Sequence, residues 1–317
     1  MPLLQPALTP TMYFIGVTTG SSSIMRVFPR WAEHLGLDAA IAGIDLPLDA
    51  EPSAYREVVS FIKGDPLSLG ALVTTHKLNL FKASRDLFDG VGEDTRLLDE
   101  VSSISKRGRE LWGHAMDSLT SGLSLLAIVG EDAWRSGEHL VLLGAGGSSL
   151  ALTLFLHRQQ AAGLPVPERV VVTNRREHRL AEMRQIHEAI GFAIPIDYVL
   201  APEPRLNDAV VTAAPSGSVV VNATGLGKDR PGSPLTDAVS FPAGAVVWDF
   251  NYRGDLVFLD QAKAQAASAG LGIEDGWLYF LHGWTRVISE VFHIDIPTAG
   301  PEFDRLGQIA REATQKG

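Results

Sequence analysis

A chain of 317 residues, 45% hydrophobic and 20% charged, is long enough for two hydrophobic cores and too apolar to stay disordered. Its net charge of -10, with no basic run, argues against nucleic acid or an anionic membrane as the main partner. The lack of any cysteine excludes disulfides, thiolate metal sites and a cysteine nucleophile.

The opening stretch MPLLQPALTPTMYF holds prolines and no basic segment, so it does not read as a signal peptide, and a cytoplasmic location is expected. Next comes an alternation of strands (Met12–Val17, Ala40–Leu46, Leu69–Thr74) and helices (Met25–Leu35, Tyr55–Lys63, a start at Asn79–Ala83), which reads as an α/β unit. SKRGRELW, Ser105 to Trp112, suggests a hairpin or turn before the chain crosses into a second domain. A second series follows: strand Leu140–Leu143, helix to about Ala162, strand Arg169–Thr173, helix Glu177–Ile190, then strands Ile196–Leu200, Val219–Asn222 and Ala245–Phe250. Runs such as VVVT and AVVWDF are apolar without alternation, as in strands buried on both faces, so this sheet should be mostly parallel.

The segment HLVLLGAGGSSLALTLFLH raises the question of a membrane span, because the 17 residues between its histidines carry no charge. A crossing needs about 20 apolar residues in one continuous helix, and the glycines instead indicate strand, tight turn and helix. In the turn, Gly144 permits the sharp bend, Gly146 lets backbone approach a diphosphate, and Gly147 or Ser149 keeps the following helix close. The helix N-terminus then offers free N–H groups and positive potential to an anion. About 30 residues on, at the end of the next strand, stand Asn174, Arg175, Arg176 and Arg179. An acid there would bind a ribose 2′-hydroxyl, whereas arginine accommodates a 2′-phosphate, which favours NADP over NAD.

With GAGGSS, TNRREHR, VNATGLG and WDFNY in this order, the chain resembles the shikimate dehydrogenases, and the resemblance runs over nearly its whole length. It implies an α/β fold with a substrate-binding domain at residues 1–118, a Rossmann-type parallel-sheet NADP domain at 119–265, and C-terminal helices at 266–317, DGWLYFLHGWTRVISEVF included, returning to the first domain. It assigns Gly144, Ala145, Gly146, Gly147, Ser148, Asn174, Arg175, Arg176, Arg179, Asn222, Ala223, Thr224 and Tyr252 to the cofactor. Ser22, Ser102, Tyr252 and His282 fall to the substrate. ALVTTHK matches the family's Asn-Val-Thr-Ile-Pro-His-Lys and GHAMD its Gly-x-Asn-Thr-Asp, which makes Lys77 and Asp117 the catalytic pair. Taken alone, Lys77 reads rather as a solvated lysine and Asp117 as a helix cap. Proton removal from an alcohol beside hydride transfer needs such a pair, and its place among the cofactor motifs favours the catalytic reading.

The substrate side departs from that pattern. Ile24 replaces the second serine of Ser-x-Ser, Ala71 and Val73 replace an asparagine and a threonine, and Glu100-Val-Ser102-Ser103 stands for Ala-Val-Asn-Thr. Ala115 and Met116 replace Asn-Thr, and Gly283 falls where a glutamine is expected. Arg26, Glu100, His114 and His282 are new polar groups in these regions. The expected activity is therefore that of an NADP-dependent dehydrogenase acting on a secondary alcohol or ketone of a cyclic hydroxy or oxo acid other than shikimate, as a monomer or homodimer. The alternative is a catalytically inactive sensor that binds NADP or a metabolite. The nine histidines show no metal-ligand spacing, so no metal is expected.

Overall fold

The computed structural model describes residues 4–130, 133–228 and 230–315. Contacts divide the chain into two compact units, Met1–Met116 with Gly283–Gly317 and Asp117–His282.

The first unit begins with β1 (Thr11–Gly16), buried at every position, then α1 (Ile24–Leu35), β2 (Ala40–Asp45), α2 (Pro52–Gly64), β3 (Ser68–Val73) and α3 (Lys77–Ser84). β4 (Gly90–Val91), α4 (Glu93–Leu98), β5 (Ser103–Arg107) and β6 (Glu110–His114) complete it before the crossing. The sheet order is β2-β1-β3-β5-β6-β4. β1 runs parallel to β2 and β3, whereas β5 is antiparallel to both β3 and β6. The Arg-Gly-Arg turn expected near Ser105–Trp112 is the β5–β6 hairpin, turned at Gly108 with φ 66°.

The second unit opens with α5 (Asp117–Val129), β7 (His139–Leu143), α6 (Gly147–Ala161), β8 (Arg169–Asn174), α7 (Glu177–Ile190) and β9 (Ile196–Leu200). It continues through α8 (Pro204–Thr212), β10 (Val219–Asn222), β11 (Val246–Asp249), α9 (Val257–Lys263), α10 (Ala266–Ala269) and β12 (Gly272–Glu274). α11 (Trp277–Phe292) carries the chain back into the first unit, where α12 (Pro301–Gln315) ends it. All five pairings in the sheet β12-β11-β10-β7-β8-β9 are parallel, as the unbroken apolar strands require. Gly122 lets α5 and α6 pack closely, since a Cβ there would stand 2.1 Å from the Phe155 ring.

The return point differs from the sequence expectation. The sequence places residues from 266 with the returning helices, whereas Val246 of β11 registers with Gly272 of β12, so this stretch closes the second sheet and the crossing falls at Gly283. Beyond it, α12 packs on α1: Trp31 Nε1 donates to the Leu306 carbonyl at 2.9 Å, and His34 meets Glu302 at 2.8 Å. The apolar segment between His139 and His157 is strand, turn and helix, and no helix among the described residues is long and apolar enough to cross a membrane.

Candidate functional site

In the second unit the strand ends β7, β8 and β10 surround a cavity of about 360 Å3, within the range of small-molecule sites. Gly144, with φ 112°, shapes its floor. A Cβ on Gly144 would lie 2.9 Å from the Ala223 carbonyl oxygen, so both the bend and the close approach of two loops require glycine here. Ser149, fully buried, ties the turn together by donating its hydroxyl to the Gly144 carbonyl at 2.6 Å. At Gly146 the situation is the reverse: an added Cβ would meet no protein atom within 4 Å and would project into space the cavity leaves open.

The arginines arrive from the next strand. Asn174 ends β8, and its Oδ1 accepts the Arg176 backbone N–H at 2.9 Å, which turns the chain into α7. Arg175, Arg176 and Arg179 all line the cavity, with Arg179 also paired to Glu182 at 3.0 Å. No carboxylate lines it among the described residues. Glycine turn, helix N-terminus, room beside Gly146 and three guanidinium groups together suit a phosphate-bearing anion.

The third wall follows β10. Asn222 is fully buried, and its Oδ1 accepts the Thr224 backbone N–H at 3.1 Å and hydroxyl at 2.6 Å. Its Nδ2 donates to Asp249 at 3.0 Å and to the Leu226 carbonyl at 3.2 Å. Asn251 reinforces this, donating Nδ2 to the same Leu226 carbonyl at 3.1 Å and its backbone N–H to Asp249 at 2.8 Å. Burial pushes the Asp249 carboxyl up to about 6, against the hydrogen bonds from Asn251 and Asn222 that pull it down.

The structure thus brings Gly144, Ala145, Gly146, Asn174, Arg175, Arg176, Arg179, Ala223 and Thr224 to one cavity. Four residues assigned to the cofactor are not on its lining. Gly147 and Ser148 form the first turn of α6. Asn222 lies beneath the wall as its anchor. Tyr252 packs against Phe280 and Trp277, with ring centroids 4.9 and 5.9 Å away. Arg230, Asn207 and Ser233 also line the cavity without a sequence signal: Arg230 and Ser233 sit in the polar, proline-containing KDRPGSP, and Asn207 in the short helix α8.

In the first unit Lys77 is the first residue of α3 and half-buried. Its approach is a γ-turn in which His76 N–H reaches the Thr74 carbonyl, with Thr75 at φ 58°, a strained value for a β-branched residue. Buried His76 braces that turn, with Nε2 at 3.0 Å from the Leu46 carbonyl and Nδ1 at 3.0 Å from the Tyr55 hydroxyl. Asp117 begins α5 in the second unit, and its carbonyl accepts the Ser121 hydroxyl at 2.7 Å.

The residues assigned to the substrate are placed less simply. Ser22 occupies the turn into α1, where its N–H donates to the Thr19 carbonyl at 2.9 Å. The buried Ser102 hydroxyl accepts the Met116 N–H at 2.7 Å, a structural use. His282 is buried in α11. Ile24, Ala71, Val73 and Ala115 are buried, and Ala71 and Val73 belong to the hydrophobic cluster that holds Tyr55, Ile15 and Leu80. Arg26 is exposed on α1. His114 faces Glu290 of α11 at 3.1 Å, and that carboxylate also accepts the Ser105 hydroxyl at 2.9 Å. No cluster of three or more histidines and carboxylates suited to a metal ion occurs among the described residues.

No family model matches the chain. Over 222 residues it is 32% identical to a shikimate dehydrogenase (NADP(+)) of Symbiobacterium thermophilum, covering 69% of this chain and 68% of that one. A shikimate dehydrogenase (NADP(+)) of Afipia carboxidovorans is 27% identical over 281 residues, with 88% and 89% covered. Among solved structures, quinate dehydrogenase from Corynebacterium glutamicum in complex with NAD superposes with a TM-score of 0.72 at 18% identity, over 96% of this chain and 99% of that one.

Proposed function

The chain belongs to the shikimate dehydrogenase family, and from that premise we propose that it is an NADP-dependent oxidoreductase interconverting a secondary alcohol and a ketone on a cyclic hydroxy acid other than shikimate. The cavity carries this reading: a glycine turn at a helix N-terminus faces Arg175, Arg176 and Arg179, with no described carboxylate on the lining. The fold alone does not choose between the nicotinamide cofactors, since a neighbour of the same fold was solved with NAD; the arginines at the end of β8 support NADP. Bound NADP would supply the hydride acceptor or donor. The protein's share is to hold that cofactor, to orient the alcohol and to move its proton. For the proton we assign Lys77, supported by its match to the family's lysine and by the braced, strained turn that presents it. Asp117 is the carboxylate of the pair by the same motif match.

A different substrate is supported by Ile24, Ala71, Val73 and Ala115, whose side chains cannot hydrogen-bond at positions where the family pattern has polar ones. A buried hydroxyl left unmatched costs about 1–3 kcal/mol, so several together reject the ligand by powers of ten. The test is to titrate NADPH and NADH, then follow the nicotinamide absorption with shikimate, quinate and a panel of cyclic hydroxy acids and their ketones. Tight NADPH binding, little turnover of shikimate, and turnover of a member with fewer hydroxyls are expected. Rapid shikimate oxidation would overturn the substrate reading, and tight NADPH binding without turnover of any member would replace the enzyme by a sensor.

A further inference from the structure

Four arginines line the cavity, and the fourth comes from a different element. Arg230 lies on the loop after β10, whereas the other three follow β8. Among the described residues no hydrogen bond or ion pair engages the Arg230 guanidinium, and the chain's overall charge of -10 makes this cluster of like charge a local exception. Like charges gathered around an open space are stabilised when an anion enters it.

The loop that presents Arg230 is built at both ends. At its start the Leu226 carbonyl accepts from Asn222 and Asn251, and Gly227 N–H donates to the Arg230 carbonyl at 2.7 Å. At its end Asn207 Nδ2 holds the Pro234 carbonyl at 2.9 Å, and the Ser233 hydroxyl donates to Gln261 at 2.7 Å. An anchored base lowers the ordering cost of engaging a ligand from an exposed side chain.

Sheet order says which anion it meets. β7 lies between β10 and β8, so the loops after β10 and β8 flank the glycine turn on opposite sides. The β8 side holds the three arginines suited to a 2′-phosphate. The β10 side touches the turn itself, with the Ala223 carbonyl 2.9 Å from where a Gly144 Cβ would be. The turn, Gly144 to Ser149, has no cationic side chain of its own. Resting on the dinucleotide reading above, we infer that Arg230 is an anion-binding arm for the cofactor's diphosphate, independent of the arginines that read the 2′-phosphate.

The experiment is a binding titration on the full chain with NADPH, NADH, ADP and adenosine 2′-monophosphate, comparing wild type, Arg230→Gln and Arg230→Lys. Arg230→Gln should weaken NADPH, NADH and ADP about equally, roughly tenfold, and leave adenosine 2′-monophosphate unchanged. Arg230→Lys should recover part of the loss, because a lysine keeps the charge without the planar fork. Melting curves matching wild type would show that the exposed substitution leaves the fold intact. A loss confined to NADPH and adenosine 2′-monophosphate would place Arg230 on the 2′-phosphate, and unchanged affinities throughout would make it an ordinary surface residue; either overturns the inference alone. A wild type that binds none of the four would instead overturn the dinucleotide reading, and Arg230 with it.

Discussion

The two sheets treat the polar groups at their strand ends differently. In the first, these groups are matched to one another: Asp45, ending β2, accepts both the N–H and the hydroxyl of Thr19 at 2.7 and 2.6 Å, and His76 lies between Leu46 and Tyr55. In the second, Asn222, Asp249 and Asn251 at the ends of β10 and β11 are matched likewise, but the glycine turn after β7 and Arg175 and Arg176 after β8 line an open cavity. A buried polar group that the protein itself satisfies is construction, whereas groups converging on a cavity without protein partners are available to a ligand. On the proposed function, the contrast would put cofactor binding at the second sheet and leave the first as a scaffold that presents a few chosen groups, Lys77 above all.

Removing Lys77 sharpens that contrast most. Lys77→Ala should lower kcat by roughly 10²- to 10⁴-fold on whatever substrate the panel yields, as loss of a general acid/base does, with NADPH affinity close to wild type. Asp117→Ala should do the same to a smaller degree. A Lys77→Ala enzyme of full activity would return Lys77 to the scaffold.

Two glycines on the same turn separate construction from binding. Gly146→Val should weaken NADPH by roughly 100-fold or more while leaving thermal stability nearly unchanged, because its side chain would enter the cavity and touch little protein. Gly144→Ala should instead cost about 2 kcal/mol or more of stability, since alanine resists φ 112° and its Cβ would press on the Ala223 carbonyl. Paired melting and titration experiments decide it, and the division fails if Gly146→Val melts as early as Gly144→Ala.

Much of this was legible in the sequence because it is local. β1, β2, β3, β7, β8, β9 and β10 lie within a residue or two of their apolar runs, and the glycine turn and the arginines each form one short run at the end of a strand, β7 and β8. What escaped is held by partners far apart. The stretch between β10 and α9 is organised by Asp208 on Thr236, Asn207 on Pro234 and Gln265 on Val239, pairs separated by 26 to 28 residues that leave no periodic signature. Arg230 reads as one more solvated charge in KDRPGSP until that scaffolding is seen. The short helices α4, α8 and α10 went unread for the same reason, and β12 shows its place only through β11. Ser102 shows the limit from the other direction: a serine in a family binding stretch, it also accepts the Met116 N–H, a contact no motif reveals.

Within the cavity, Arg175→Ala should weaken NADPH roughly 10- to 100-fold and leave NADH nearly unchanged, because a charge-assisted contact to a 2′-phosphate contributes about 1.5–3 kcal/mol that NADH never makes. Equal loss for both cofactors would remove the assignment and leave Arg175 with the diphosphate.

The smallest effect tests the scaffold side of the comparison. Glu290, one-fifth exposed on α11, faces His114, Ser105 and Arg107 at 3.1, 2.9 and 3.4 Å. The imidazole of His114 beside it, with further help from Ser105 and Arg107, holds its carboxyl down at about 2 despite burial. A folded value below the ordinary 4.5 means that the unfolded chain binds the proton first, so the stabilisation is complete above about pH 4.5 and is lost as pH falls toward 2. The displacement from 4.5 to about 2 sets an upper bound of roughly 3–4 kcal/mol, less what solvent screening at this partly exposed group removes. Glu290→Gln should therefore lower the melting temperature at pH 7 by several degrees and flatten the loss of stability between pH 5 and 2, while NADPH affinity stays unchanged. If the variant instead keeps the wild-type acid profile, this matched cluster does not stabilise the first unit. If it loses cofactor affinity at equal stability, the separation of scaffold from binding surface is wrong at the point where it was drawn most sharply.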